Sequence, residues 1–193
     1  GGKSVSPAFP NGKLPNGSFS NTPYNFSEQW DGLISKIRSR YSGQVGFAIP
    51  YSDNLDQLPE FISKVDFLYV EMSSALTDST TPKVRDMQSR VSSILDNEVY
   101  KLYAIYQKPV ILSIDYSALD GSASDCLNLN ASCGEILNMS TSETLTIDTY
   151  EQADVYYSFL QESAARSWIM GLISDGFNPS VAVQDVSSSV HGK

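Results

Sequence analysis

The chain has 193 residues, with 13 basic and 22 acidic side chains and a formal net charge of −9. Its hydrophobic content of 41%, with 11 Tyr and 8 Phe, is enough for a core and excludes a wholly disordered chain. An acidic chain repels phosphate backbones, so we expect no nucleic-acid binding. One histidine and two cysteines are too few for a zinc cage, and we expect neither a metal nor a cofactor. No apolar run reaches the roughly 18 residues of a spanning helix, so we expect no membrane insertion.

Both ends of the sequence are polar. The chain begins with GGK, which has neither an initiator methionine nor a signal-peptide pattern, and it stops in SSSVHGK. We therefore expect a segment of a longer chain. A complete domain of about 150–200 residues is the alternative that the length permits.

Helices and apolar strands alternate along the chain after an irregular beginning. Residues 1–27 are rich in Pro, Gly, Asn and Ser, which predicts a long loop. The predicted elements that follow are a helix over 27–41, a strand over 44–52, a short helix over 58–64, a strand over 65–74, an amphipathic helix over 83–107, a strand over 110–117, a helix over 149–167 and a strand over 168–174. The apolar side of the last helix carries Ala153, Tyr156, Tyr157, Leu160 and Ala164.

This alternation predicts an α/β fold. Strands that are apolar throughout and separated by helices imply parallel pairing with both faces of the sheet covered. Two architectures fit, an open doubly wound sheet or part of an eight-stranded βα barrel, of which four strands make half. Neither of the nucleotide-binding motifs G-x-G-x-x-G and G-x-x-x-x-G-K-[ST] occurs at a strand-to-helix turn. The usual argument for an open sheet, that it binds a nucleotide, is therefore missing.

Acidic and tyrosine residues follow the predicted strands, at the edge where parallel α/β folds carry their sites. They are Tyr51, Asp53, Glu71, Asp115, Tyr116 and Asp175. Carboxylates beside aromatic rings suit a sugar, because the acids transfer protons or stabilise an oxocarbenium charge and the rings stack on apolar pyranose faces. The structural alternatives are helix N-caps for Asp53 and Asp175, and polar groups bonded to a neighbouring strand for Glu71 and Asp115.

Several segments resemble (β/α)8 glycoside hydrolases of the β-mannanase-like kind. They are FSEQWDGLISKIRSRYSGQVGFAIPYS, KPVILSIDYS, YEQADVYYSFLQ with WIMGLISDGFNP, and DVSSSVHGK. The resemblance covers about residues 28–193 and implies the C-terminal half of a TIM barrel, strands five to eight. Residues 1–27 would then be the long loop after strand four. An oligo- or polysaccharide is the implied ligand.

The resemblance also implies roles for the strand-end residues. Asp115 would be the nucleophile or charge stabiliser, assisted by Glu71. Substrate binding falls to Tyr51, Asp53, Tyr116 and Asp175. Two departures from the family stand against hydrolysis. Its acid/base Asn-Glu pair is absent from GGKSVSPAFP, and Asp115 is one methylene shorter than the family's glutamate. A catalytically degenerate barrel that binds glycan or a protein partner is therefore the alternative.

The two cysteines provide information on the cellular location of the protein. Cys126 and Cys133 enclose LNLNAS in a polar loop, a spacing that can close a small disulfide ring, and two free thiols are the alternative. A disulfide favours an exported protein. Four Asn-x-Ser sequons lie in predicted loops, but several arise by chance in a chain rich in Asn and Ser, and they count only if the source glycosylates. We expect an extracellular or cell-surface location.

Overall fold

A computed structural model of the chain describes residues 26–51, 55, 58, 60–127, 132–133 and 146–175. These residues contain a parallel sheet of four strands in sequential order. The strands are β1 (Gly46–Pro50), β2 (Phe67–Met72), β3 (Val110–Ile114) and β4 (Ile169–Ser174). Each strand pairs with the next along the chain, as successive βαβ units require. The predicted α/β class is confirmed.

Four α-helices connect or precede the strands. They are α1 (Phe26–Arg38), α2 (Val84–Ile94), α3 (Tyr100–Tyr106) and α4 (Thr149–Ala164). A π-helical turn, Leu95–Val99, joins α2 to α3, so the helix predicted over 83–107 is continuous but widens at its centre. Short 3₁₀ helices occupy Glu60–Lys64 and Ser122–Ser124. Within the described residues, no helix is long and apolar enough to cross a membrane.

The helices pack on one face of the sheet. Alternate residues of β2 point to this face and are buried, namely Leu68, Val70 and Met72. They join a core that includes Phe61, Met87, Ile94, Leu112 and Phe159. Burial of this apolar surface stabilises the fold by roughly 25 cal/mol for each Å².

The other face of the sheet has no helix against it among the described residues, and its side chains lie outside their apolar core. Tyr69 and Glu71 on this face are half-buried, and Ile173 on β4 is 44% exposed. Gly46 lies on the same face beneath the ring of Phe67. A Cβ at Gly46 would lie 2.2 Å from that ring, so any larger residue would displace it.

Two aromatic clusters hold the ends of the helical layer. Trp30 on α1 contacts Phe47 of β1 edge-on at 5.4 Å and stacks on Phe61 at 5.3 Å. Trp168 immediately precedes β4, at the amino edge of the sheet, and stacks on Tyr103 with 6.0 Å between ring centroids. Both tryptophans thus pack against aromatic rings of neighbouring elements.

The buried side of α4 differs from the predicted one. Tyr157 is 49% exposed and Leu160 is 54% exposed, although both belong to the apolar side identified in the sequence. The buried residues of α4 are Glu151, Gln152, Val155, Ser158, Phe159 and Ser163. The reason is that α4 packs over the polar segment that follows β3, and Glu151 and Gln152 hydrogen-bond its backbone.

Candidate functional site

The carboxyl edge of the sheet brings together three carboxylates, those of Glu71, Asp115 and Asp175. Glu71 is the fifth residue of β2. The backbone N–H of Asp115 donates to Met72 O at 3.1 Å, and that of Asp175 donates to Ile114 O at 3.0 Å. These bonds extend the parallel pairing past the ends of β3 and β4, so the two aspartates stand at the same edge as Glu71.

Glu71 is electrostatically distinct. Burial raises the pKa of Glu71 above its ordinary value, and the negative charges of Asp175 and Asp115 raise it further. Glu71 therefore keeps its proton to a higher pH than a free glutamate does. This is the property required of a carboxylic acid that donates a proton to substrate.

A hydrogen-bonded chain of polar groups crosses the open face beside these carboxylates. The Tyr69 hydroxyl donates to Ser113 Oγ at 2.8 Å, and Ser113 Oγ lies 3.5 Å from Asp175 Oδ2. Ser113 is only 1% exposed. Tyr69 and Ser113 are absent from the predicted site residues. Strand alternation is the signal that finds them, because Tyr69 precedes Glu71 by two residues, and Ser113 pairs with Glu71 in the sheet register.

The hydroxyl groups of the two tyrosines predicted to bind substrate donate hydrogen bonds to other parts of the protein. The Tyr51 hydroxyl donates to the carboxylate of Glu98, in the π-helical turn between α2 and α3. Tyr116 is 3% exposed, and its hydroxyl donates to Ser74 O at 2.6 Å. Burial raises the pKa of Tyr116 well above its ordinary value. Asp53, the remaining predicted residue, lies outside the described residues.

A cavity of about 350 Å³ opens beside Asp115, and we name it the side cavity. Its lining includes Ser73, Asp115, Ser117, Ser122, Asp125 and Cys133. Asp125 immediately precedes the disulfide between Cys126 and Cys133, and this bond confirms the pairing predicted from the spacing. Sequence reasoning did not select Ser122 or Asp125, because a run of small polar residues between two elements resembles any other loop.

A buried carboxylate, that of Glu151, supports the backbone just before the disulfide. Glu151 accepts hydrogen bonds from Gly121 N at 3.1 Å and Ala123 N at 2.7 Å. Gln152 Nε2 donates to Tyr116 O at 2.8 Å. Burial raises the pKa of Glu151 although its two backbone donors act in the opposite direction. The first turn of α4 thus holds the backbone at Tyr116, Gly121 and Ala123, and Tyr116 itself lines the side cavity.

Three acidic residues near the start of α4 have a spacing that could hold a metal ion. Carboxylate oxygens of Asp120, Asp148 and Glu151 all lie within 4.8 Å of one another. Asp148 caps α4, since its Oδ1 accepts from the backbone N–H groups of Tyr150 and Glu151 at 2.9 Å each. Backbone donors therefore satisfy Asp148 and Glu151, which gives this cluster a structural role.

Solved structures of GH113 β-1,4-mannanase are similar to this chain. One of these structures matches 87% of the chain at 19% sequence identity, with a TM-score of 0.51. A complex structure of GH113 β-1,4-mannanase matches 86% of the chain at 19% identity, with a TM-score of 0.50. The chain spans about half the length of these mannanase chains, 48% and 47% respectively. The chain has the fold of half a TIM barrel. No protein-family model matches it, and no curated protein matches its sequence.

This comparison decides between the two architectures that the sequence left open. The sheet is part of a βα barrel, as predicted, and its helix-free face corresponds to the barrel interior. Glu71 and Ser113 therefore face the barrel axis near its carboxyl end. Barrel enzymes build their sites at this end, from residues at the ends of several strands.

Proposed function

We propose that this protein binds an extracellular glycan at the carboxyl end of its barrel and hydrolyses its glycosidic bonds. The observation that carries the proposal is the meeting of Glu71, Asp115 and Asp175 at one edge, with the pKa of Glu71 raised. The similar solved structures are of a β-1,4-mannanase, so a β-1,4-linked mannan is the first substrate class to test.

The proposed chemistry divides two roles between neighbouring strands. Glu71, which keeps its proton to a higher pH, donates that proton to the glycosidic oxygen as the bond to the anomeric carbon breaks. Asp115 is exposed and stabilises the positive charge that develops on the sugar ring, or attacks the anomeric carbon directly. Water then attacks the anomeric carbon, its proton passes to the Glu71 carboxylate, and its hydroxyl completes the new reducing end. Where Asp115 has bonded to the anomeric carbon, this attack also breaks that bond.

A second candidate, glycan binding without hydrolysis, is favoured by the residue that pairs with Glu71. Ser113 rather than a carboxylate occupies this buried position. A barrel without the complementary carboxylate would keep its affinity for sugar but lose turnover.

An activity assay separates the two candidates. The full-length protein is incubated with β-1,4-mannan, xylan and cellulose, and new reducing ends are measured for the wild type and for Glu71→Gln and Asp115→Asn. Hydrolysis predicts a loss of at least about 100-fold in each variant. The matched control is Asp78→Asn, an exposed carboxylate before α2, which should keep full activity. Saturable binding of mannan without any turnover by the wild type would support the second candidate, and neither binding nor turnover would refute both.

We also propose that the protein is extracellular, and the disulfide supports this. Cys126 and Cys133 are bonded, and disulfides persist mainly in oxidising compartments. Mass spectrometry of the protein purified from its native source should find this bond intact. A reduced pair, alkylated at both positions, would contradict the proposal.

A further inference from the structure

We infer that Glu98, in the π-helical turn between α2 and α3, is a positioning residue for the carboxyl-edge site, and that it acts by holding the Tyr51 hydroxyl and thereby fixing the end of β1 beside Glu71. The inference rests on the proposed function, because it concerns how the proposed proton donor is placed. Glu98 lies in the helical layer and is absent from the predicted site residues.

Glu98 is a partly buried carboxylate at an irregular point of a long helix. It belongs to the turn Leu95–Val99, whose first and last residues are fully buried in the core. The side chain of Glu98 is only 24% exposed. Turns of this type are rare and occur frequently at functional sites. The turn thus places an acidic group beside the apolar layer between helix and sheet, where a carboxylate needs specific partners.

Each oxygen of the Glu98 carboxylate has such a partner. Oε2 accepts a hydrogen bond from the Tyr51 hydroxyl, and Oε1 lies 3.5 Å from Arg90 Nη1, on the preceding part of the same helix. A hydrogen bond to an ionised acceptor is stronger than one between neutral groups. Glu98 is therefore an effective anchor for the Tyr51 side chain, which packs against the helical core.

Tyr51 transmits this restraint to Glu71 through the backbone. Its N–H donates to Glu71 O at 2.9 Å, just past the end of β1. The preceding residue, Pro50, has no N–H to donate. Within the described residues, the bond from Tyr51 is the last one that joins β1 to β2 at this edge. The end of a strand opens easily when few bonds hold it, so the anchored tyrosine keeps β1 against Glu71.

Pro50 is the residue of β1 that lies beside the Glu71 side chain. The two residues pair in the parallel register, so both side chains are on the helix-free face of the sheet. Asp115 and Asp175 act on Glu71 from the ends of β3 and β4. If the end of β1 moved away, Pro50 would withdraw and water would reach Glu71, and the pKa of Glu71 would lose part of the increase that burial causes.

Three variants of the full-length protein test the role of Glu98. Glu98→Ala and Tyr51→Phe each remove the hydrogen bond, whereas Glu98→Gln keeps an oxygen that can accept from Tyr51. NMR measures the titration of the Glu71 carboxyl group, and the reducing-end assay on β-1,4-mannan gives kcat and KM.

We expect Glu98→Ala and Tyr51→Phe to move the pKa of Glu71 toward its ordinary value. Both should also lower kcat by about tenfold with little change in KM, because the proton donor is displaced while other sugar contacts remain. Glu98→Gln should stay close to the wild type in both measurements. The matched control is Asn97→Ala, an exposed residue of the same turn, which should change neither.

A merely structural role for Glu98 would give a different result. If Glu98→Ala and Tyr51→Phe melt at a lower temperature but keep the wild-type pKa of Glu71 and the wild-type kcat, the inference is overturned. Equal losses in Glu98→Gln and Glu98→Ala would also overturn it, because the Gln variant keeps the acceptor. Should Glu98→Ala fail to fold, the comparison of Tyr51→Phe with Glu98→Gln decides.

Failure of this inference is distinguishable from failure of the proposed function. If the wild type hydrolyses mannan and the Glu98 and Tyr51 variants leave Glu71 unchanged, the inference fails and the proposed function stands. If the wild type neither binds nor hydrolyses a polysaccharide, the proposed function fails, and the titration of Glu71 alone decides whether Glu98 positions it.

Discussion

The hydroxyl of Tyr69 on β2 donates a hydrogen bond to Ser113 Oγ on β3 at 2.8 Å, on the face of the sheet that has no helix against it. Ser113 also lies 3.5 Å from Asp175 at the end of β4. One hydroxyl therefore links three strands immediately beneath the carboxyl edge. In the half-barrel fold these hydrogen-bonded side chains lie along the barrel interior. Their bonds set the position of Ser113 beside Glu71.

Tyr69→Phe should disturb this arrangement without removing any apolar volume. We expect the free energy of unfolding to fall by about 1 kcal/mol, the net value of a typical hydrogen bond. Glycan affinity or turnover should fall several-fold, because Ser113 and Asp175 lose an orienting partner. Differential scanning calorimetry and the reducing-end assay measure the two effects. Tyr150→Phe is the control, since Tyr150 is 85% exposed. Equal behaviour of both variants would exclude an orienting role for Tyr69.

Glu71→Gln should change how stability depends on pH. The pKa of Glu71 is raised in the folded protein, so with rising pH the unfolded chain loses this proton first. The carboxyl group therefore begins to destabilise the fold as pH rises through the ordinary glutamate range near about 4.3, and the effect levels off above the folded pKa. The Gln variant should melt at a higher temperature than the wild type at pH 8.

This advantage of the Gln variant should disappear below about pH 4, where Glu71 is protonated in both states. Melting temperatures recorded from pH 3 to pH 8 test the prediction. The exposed Asp78→Asn serves again as the control and should show no comparable crossover. A stability difference that grows as the pH falls would mean that the pKa of Glu71 is lowered instead.

Removal of the disulfide should lower stability. Replacing Cys126 and Cys133, which are 7 residues apart, by Ser should lower the free energy of unfolding by about 2–3 kcal/mol, from the loop entropy of the unfolded chain. The hydrogen bond from Cys133 N to Asp125 Oδ1 should weaken as well, because the disulfide holds the two residues together. Thermal unfolding with and without a reducing agent measures the change in stability. Identical melting temperatures for the oxidised and the reduced protein would contradict this prediction.

Glu151→Gln tests the support beneath the side cavity. Each carboxylate oxygen of Glu151 accepts from a different backbone N–H, so an amide would place an N–H group against one of these donors. We expect a loss of about 1–3 kcal/mol in stability. The exposed Gln161→Ala on the same helix should cause a much smaller change. A Gln variant as stable as the wild type would show that Gly121 and Ala123 do not depend on the carboxylate.

Much of the fold and part of the site follow from local sequence patterns. Short apolar runs predict all four strands, and the spacing of Cys126 and Cys133 predicts their disulfide. These predictions succeed because each depends on residues that are close together in the chain. The carboxyl-edge rule for parallel sheets selects Glu71, Asp115 and Asp175 in advance, and their roles stay predictions.

Contacts between distant residues could not be predicted in this way. Tyr69 and Ser113 are 44 residues apart, and Ala123 and Glu151 are 28 apart, so their pairing depends on sheet register and on how α4 crosses the segment after β3. For the same reason, the sequence pattern predicts that Leu160 on α4 is buried, whereas the structure exposes it.

The sequence by itself determined the order of helices and parallel strands and the acidic edge at which the strands end, since apolar periodicity and chain order encode both. Only the tertiary structure decided that Tyr51 and Tyr116 are tied to the protein, that Tyr69 and Ser113 lie beneath the carboxylates, and that a serine-lined cavity opens beside Asp115. The direction in which each side chain points is set by packing across the sheet, and packing joins residues that the chain itself keeps far apart.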